Sequence, residues 1–427
     1  MKPWSWLWGS QEARAPDVVA AERSIPKDDL LRMKAAFKTQ TGASGTKDNP
    51  ILPFAGFKAL LHMTDALWGD IADSLCRAVD RSRRGEIAFE DFVVALRRCE
   101  RGSDAERAGF AFGVLDADGD GRVGRTELEA GVRACAAVVG GESETDDVAG
   151  RVALGATKMC RSGDPDSTGS LDQGTFEMWS KKVPSVSLVL CSLLQRWPGQ
   201  SPTLSIHTPR LEMDDQWTGK ELLLKHSWLW LLCGGLPSQQ CLKWHLLFHS
   251  SVHGKSFNTF MGKVKGRGAT LMIVRDSEGH CFGGFAPLPW KKQGSFYGDY
   301  SSFLFTLDPH YSMYKASGSN DHFQWCGQGF SQLPNGVGFG GQVGHFGLFI
   351  DSTFDGGMSR PSATFSSPCL ASAQTFGVKD VECWLVEPVE DDELAPGDSS
   401  SVLDKYKEDQ RVMELAGKQK YSDGYRD

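Results

Sequence analysis

The sequence has no Cys-x-x-Cys pair, no block of basic residues and no apolar run long enough to cross a bilayer. Each absence removes a class of protein. Eleven cysteines, an odd number spread singly from Cys76 to Cys383, make neither a secreted disulfide framework nor a structural zinc site, and they fit a reducing compartment. A formal net charge of -8 leaves too little lysine and arginine in excess to displace counterions from phosphates, so no nucleic-acid partner is expected. The most apolar stretch, Leu222 to Leu236, carries Lys225 and His226 and is too short to span a membrane. The first residues lack a signal-peptide cleavage pattern, and Lys2 stands where N-myristoylation needs glycine. Trp4, Trp6 and Trp8 would suit either a membrane interface or a cap on a neighbouring domain.

What is present divides the 427 residues into two textures, as expected of a chain too long for one core. In the first half the run Asp116-Ala117-Asp118-Gly119-Asp120-Gly121-Arg122-Val123-Gly124-Arg125-Thr126-Glu127 fits the twelve-residue calcium loop. Asp116, Asp118 and Asp120 would supply side-chain oxygens, Arg122 its backbone carbonyl, and Glu127 two oxygens that close the cage. Gly121 allows the sharp turn, and Gly124 at the ninth position leaves that vertex to water. Calcium is a hard cation taking six to eight oxygens, which is why this density of carboxylates is diagnostic. Apolar residues at helical spacing flank the loop on both sides, and Val123 is placed to pair with a neighbouring loop.

Weaker relatives surround it. The run Asp164 to Asp172 keeps the early ligands and the turn glycine, but its twelfth position is Thr175, so weak or absent binding and a purely structural pairing of Leu171 with Val123 are expected. The run from Asp80 to Ile87 has Arg84 where an oxygen belongs, and a cation there opposes a cation. A still more degenerate unit runs from Leu30 through Phe37, an interrupted loop over 42–50, and Ile51 to Leu61. The set resembles the four-module EF-hand arrays of the calcineurin B and recoverin type.

After about residue 200 proline, glycine and aromatic residues crowd together, and nine of the ten histidines lie there. Short apolar runs at Trp244–His249, Thr270–Arg275, Cys281–Ala286, Ser302–Leu307 and Gly347–Asp351 are separated by turn signals, including Asp276-Ser277-Glu278-Gly279. Their close spacing points to an antiparallel sandwich. Leu246-Leu247-Phe248-His249-Ser250, His253-Gly254-Lys255-Ser256-Phe257, the run from Val274 to Phe285, Phe303-Leu304-Phe305, the run from Gly340 to Asp351 and Val381-Glu382-Cys383-Trp384 together resemble a TLDc domain over roughly 225–388. With the calcium loop upstream, Asn320-Asp321-His322-Phe323 and the run from Leu333 to Gly338 look like the TOR-associated EF-hand/TLDc proteins. That resemblance implies a peripheral lysosomal or endomembrane adaptor that engages the vacuolar proton-pumping ATPase and influences TOR signalling, with oxidative-stress resistance among TLDc relatives. His345 stands where many TLDc domains carry glutamate, and family members often begin with a myristoylatable glycine.

Three constellations read more plainly than they tempt. His245, His249 and His253 recur every four residues and would line one face of a helix, but on a strand His245 and His249 share their face with Leu247 while Trp244, Leu246 and Phe248 take the other, and no HExxH acid lies between them. The run Gly336 to Gly341 matches GxGxxG yet is followed by an apolar strand rather than a helix, so turns and close backbone approach explain its glycines. Ser250 near His253, or Cys281 beside His280, can be drawn as a nucleophile with a base. No GxSxG elbow is present, however, and strand neighbours point to opposite faces.

The expected architecture is therefore a tryptophan-containing segment over 1–24, then an all-α EF-hand array over 25–182, with modules near 30–61, 71–99 and 155–182 and a complete one at 105–135. A helical connector over 183–224, an α+β TLDc domain over 225–388, and an acidic linker with a charged helix over 389–427 complete it. In that helix Leu403, Tyr406 and Met413 form a stripe for packing back or for a partner. The expected function is a cytoplasmic, non-enzymatic, calcium-binding adaptor whose partners are vacuolar ATPase subunits and TOR-pathway proteins, with peripheral membrane contact. The competing readings are an oxidative-stress enzyme or redox sensor acting through a TLDc cysteine such as Cys281 or a histidine, and a scaffold whose calcium is structural.

Overall fold

Proline sets several of the starts. Pro16 and Pro184 sit in the first turns of their helices, where the missing N–H costs nothing and the fixed φ is already helical. The computed structural model describes residues 15–40, 42–46, 49–64, 68–140, 145–163, 169–198, 208–214 and 221–388. The N-terminal region is α1 (Pro16–Ser24), α2 (Lys27–Thr39), β1 (Ser44–Gly45), β2 (Pro50–Pro53), α3 (Phe54–Leu60), α4 (Gly69–Val79), β3 (Glu86–Ala88), α5 (Phe89–Arg101), α6 (Asp104–Leu115), α7 (Arg125–Val138), α8 (Thr145–Gly163), α9 (Gln173–Lys182) and α10 (Pro184–Ser192).

These helices are tied in pairs through their loops. Leu52 of β2 lies opposite Ile87 of β3, and β1 completes a three-stranded antiparallel sheet. Further along, Val123 and Leu171 exchange backbone hydrogen bonds of 2.8 and 2.9 Å, the pairing that the apolar residue at the eighth loop position foreshadowed. Beneath the first pair, Phe37 packs against Phe57, Phe89 and Phe92 at ring distances of 6.0, 5.3 and 5.4 Å.

The β-rich region is β4 (Arg210–Glu212), α11 (Leu229–Cys233), β5 (Lys243–His249), α12 (Ser250–His253), α13 (Phe257–Val264), β6 (Gly268–Asp276), β7 (Cys281–Ala286), β8 (Gln293–Tyr297), β9 (Phe303–Asp308), β10 (Ser312–Lys315), β11 (Gln324–Gly327), β12 (Gly336–Gln342), β13 (His345–Asp351), β14 (Gly356–Met358) and β15 (Thr375–Pro388). The strand path runs β10-β9-β7-β6-β15-β14-β13-β12-β11-β8, with β5 on β15 and β4 on β5. The long β15 serves two layers: Thr375 to Gly377 pair with β14, and Glu382 to Leu385 pair with β5. Met272, Val274, Phe282 and Leu304 from one layer meet Val337, Phe339, Leu348 and Ile350 from the other in a single core.

Alternation along the strands explains the unbroken apolar runs. Leu271 and Ile273, like Phe303, Phe305 and Leu307, belong to the core shared with the helices, whereas Met272, Val274 and Leu304 point into the sandwich. A sheet covered on both faces needs apolar residues at every position. The described residues up to Glu387 accordingly form one compact unit. Polar contacts fix the seam. The Tyr311 amide donates to the Arg151 carbonyl at 3.2 Å, and the Tyr311 and Ser185 hydroxyls both donate to the Leu231 carbonyl at 2.8 Å. Arg151 pairs with Asp147 at 2.8 Å and with Asp308.

Two sequence expectations are revised. The stretch 183–224 is not helical throughout: α10 and a 3-10 turn at Leu193–Gln195 are followed by β4, which joins β5 in parallel. The run 336–341 is not simply turns but most of β12, held between β11 and β13. Its glycines are needed for approach, since a Cβ on Gly336 would lie 2.1 Å from the Ile350 carbonyl oxygen. Among the described residues no helix is long and apolar enough to cross a membrane. The Trp4–Trp8 segment and the charged helix expected within 389–427 lie outside the described residues.

Candidate functional site

The loop between α6 and α7 is built by its own backbone. Ser103 and Glu106 form a reciprocal capping box that starts α6, with the Glu106 amide donating to Ser103 Oγ at 3.2 Å and the Ser103 amide to Glu106 Oε2 at 2.8 Å. At the far end of α6, Asp116 Oδ1 accepts from the Gly119 amide at 2.9 Å and Oδ2 from the Gly121 amide at 3.1 Å. Asp118 Oδ1 accepts from the Asp120 amide at 3.1 Å, and Asp120 Oδ1 from the Arg122 amide at 2.7 Å. Gly119 at φ +76° and Gly121 at φ +82° occupy the left-handed region that this winding requires.

The result brings one oxygen from each of Asp116, Asp118 and Asp120 within 4.8 Å of one another. Among the described residues no lysine or arginine forms an ion pair with these three, so the chain itself leaves three like charges uncompensated at short range. Glu127 is not in that cluster. As the third residue of α7 it folds over the loop, with Oε1 accepting from the Ala117 amide at 2.9 Å and Oε2 from the Gly124 amide at 2.7 Å. Arg122 is fixed through its side chain, which donates to Ser170 Oγ at 2.7 Å and to the Ser170 carbonyl at 3.2 Å. The donor set is all oxygen and dense in carboxylate, which fits a hard divalent cation such as calcium.

The neighbouring loops differ. Residues 164–168 of the fourth loop lie outside the described residues. Its Asp172 caps α9 by accepting from the Thr175 amide at 2.8 Å, a bond that holds its carboxyl below the usual range. In the second loop Asp80 is buried and accepts from Gly85 N at 2.7 Å and Ser82 Oγ at 2.9 Å. There Arg81 pairs with Asp17 at 2.8 Å and stands 3.9 Å from Asp91, the twelfth loop residue. The chain's own guanidinium thus approaches the closing carboxylate.

The β-rich region offers no comparable ligand set. Among the described residues no second group of three carboxylate, imidazole or thiol groups converges as the aspartates do. His249 is buried at the end of β5 and its Nδ1 accepts from the Ser251 amide at 3.0 Å, while the His253 Nδ1 accepts from the His249 amide at 3.2 Å. These rings serve the β5–α12 turn. Burial pushes the Cys281 thiol far up, the reverse of what a reactive thiolate needs. Cys369 alone of the eleven cysteines is half-buried rather than buried. His345 contacts the Pro361 carbonyl through Nε2 at 3.2 Å.

One residue was missed from sequence. Glu382 has no exposed surface and gathers three donors, Leu223 N at 2.5 Å on Oε1 and Leu224 N at 3.1 Å and Trp384 Nε1 at 3.0 Å on Oε2, with His249 Nε2 standing 3.4 Å from Oε1. Burial pushes its carboxyl up to about 7 against the pull of those donors. The signal was visible as a lone acid inside the apolar run Val381 to Val386. Its role is to hold the entering segment at 223–224 to the closing strand.

Sequence comparison agrees with this architecture. Residues 217–387 match the model of the TLDc domain, and this part of the chain is a TLDc domain, beginning just before the segment that Glu382 holds. Among whole proteins, the chain is similar to the MTOR-associated protein MEAK7 of Danio rerio, 33% identical over 272 residues, covering 62% of this chain and 60% of that protein. The MTOR-associated protein MEAK7 of Homo sapiens is 33% identical over 270 residues, 60% of this chain and 57% of that protein. Oxidation resistance protein 1 of Rattus norvegicus is 31% identical over 145 residues, 34% of this chain and 17% of that protein. The chain thus spans 60% or less of the length of these relatives.

Proposed function

We propose that the chain is a calcium-binding regulatory adaptor, in which an EF-hand array is fused to a TLDc domain that engages other proteins. The observation that carries this reading is the convergence of Asp116, Asp118 and Asp120 on a helix–loop–helix whose neighbours share a core with the TLDc domain. Those three carboxylates, the Arg122 carbonyl and Glu127 would hold the ion, and Glu127 would trade its loop amides for it. The bound cation would neutralise the aspartates and tighten α6 against α7, and the shared core gives that change a route to the TLDc surface. Similarity to MEAK7 supports a role connected with TOR signalling, and similarity to oxidation resistance protein 1 supports one connected with oxidative stress. In this reading the partners are subunits of the vacuolar proton-pumping ATPase and TOR-pathway proteins, met at the cytoplasmic face of lysosomal or other endomembranes. The chain acts by binding and not by catalysis, and the buried, raised thiol of Cys281 weighs against the redox alternative.

The test is affinity purification of the full chain from cell extract, in calcium and in chelator, read for vacuolar ATPase subunits and TOR-pathway proteins. Calcium-dependent recovery supports the reading. Recovery of neither class under either condition refutes it.

A further inference from the structure

Where the helices meet the sandwich, α9, α10 and β10 enclose a cleft of about 640 Å³, within the range of small-molecule sites and at the kind of seam where such sites form. Its apolar lining comes from both sides: Pro184 and Leu188 from the helices, Met313, Tyr314 and Phe365 from the TLDc domain. Its charge is lopsided. Arg107 is already paired with Asp104 at 2.7 Å. Lys181, Lys182 and Lys315 also line the cleft, and among the described residues none of the three has a carboxylate within ion-pairing distance. Glu177 is the one lining acid outside the Arg107 pair.

Lys182 is the key group. At the end of α9 its ammonium lies 5.1 Å from the centre of the Tyr314 ring, half-buried in the cleft, and burial pulls its pKa down. A cation withdrawn from water with only a ring face to oppose it is an incomplete arrangement, because burying charge is costly unless it is paired. Met313 and Tyr314 are almost wholly buried, so the cleft has a firm apolar wall beside that cation.

We propose that this cleft binds a small organic anion, an apolar body carrying a phosphate or carboxylate, with Lys182 pairing the anionic group and Lys315 drawing it in. The apolar body lies against Met313 and Phe365. Because the walls belong to the helical region and to the TLDc domain together, the occupant clamps the two across their seam.

Isothermal titration of the full chain with 2-naphthyl phosphate, 2-naphthoate, neutral 2-naphthol and inorganic phosphate tests this. At least one of the two charged naphthyl probes should saturate one site, with 2-naphthol and inorganic phosphate weaker by about tenfold or more. Whichever naphthyl anion binds more tightly identifies the headgroup. Lys182→Met and Lys315→Glu should each weaken that probe by about tenfold. Lys315 is exposed, so Lys315→Glu keeps the test decisive if Lys182→Met does not fold. The proposal is overturned if neither anion saturates, if 2-naphthol binds as tightly, or if the lysine variants bind as wild type does.

Discussion

Replacing Glu382 with glutamine probes the carboxylate that closes the TLDc domain, because the substitution keeps the shape and removes the charge. Oε1 receives one donor and Oε2 two, so an amide nitrogen leaves one donor facing a donor on the first side and two on the second. An unsatisfied buried donor costs about 1–3 kcal/mol, and the glutamine can turn its nitrogen to the single-donor side, giving a loss of roughly 1–3 kcal/mol before any relief from removing a buried charge. The pH dependence separates these contributions. The folded-state pKa is raised from 4.5 to about 7, so the protonated acid favours the folded chain. That stability is fully present below the unfolded value and is lost as pH rises through the folded one. Over the window it amounts to about 3 kcal/mol, at about 1.4 kcal/mol per pH unit. Glutamine does not titrate. The wild-type advantage over Glu382→Gln should therefore be largest near pH 5 and shrink by about 3 kcal/mol towards pH 8. Urea unfolding of both chains across that range, followed by far-UV circular dichroism, measures it. An advantage that stays flat or grows with pH would show that the three donors keep Glu382 ionised throughout and would refute the reasoning.

Other consequences follow from the same geometry. Glu127→Gln should weaken calcium binding by about tenfold or more in calorimetry, since it removes the charge that closes the cage; unchanged affinity would remove Glu127 from the ligand set. Gly341→Ala should destabilise the chain by about 2 kcal/mol or more in the same urea assay, because φ is +83° and the new Cβ would meet the His345 carbonyl oxygen at 2.0 Å. Under native conditions a thiol reagent should modify Cys369 first and leave Cys281 protected until unfolding, as mass spectrometry of labelled peptides would show. Equal early labelling at Cys281 would count against the buried thiol and revive a redox role.

Legibility followed the range of the forces involved. The loop from Asp116 to Glu127 was readable because its hydrogen bonds span at most ten residues and each has a fixed sequence offset. Cys281–Ala286 was readable as a strand because an apolar run and a turn with Asp276 and Gly279 bound it, and the turn is held by Asp276 Oδ1 at 3.0 Å from the Glu278 amide and 2.8 Å from the His280 amide. β12 was hidden because four of its seven residues are glycine, Gly336, Gly338, Gly340 and Gly341, a composition that local propensity reads as turn. Only the partner strands explain it, since they come close enough to exclude any Cβ. Arg81 could not be read as the counter-ion near Asp91, because the Asp17 that also binds it belongs to a distant helix.

The sequence by itself determined the calcium-type loop, the change of texture near residue 200 and the run of strands that resembles a TLDc domain, because each is written in neighbouring residues. Tertiary structure alone decided that Leu271 and Met272 serve opposite cores, that Glu382 fastens Leu223 and Leu224 to the last strand, and that the lysines of α9 and β10 face one cleft. Those outcomes depend on which surfaces meet after the chain has closed on itself. Burial and long-range pairing set them, and neither has a local spacing to betray it.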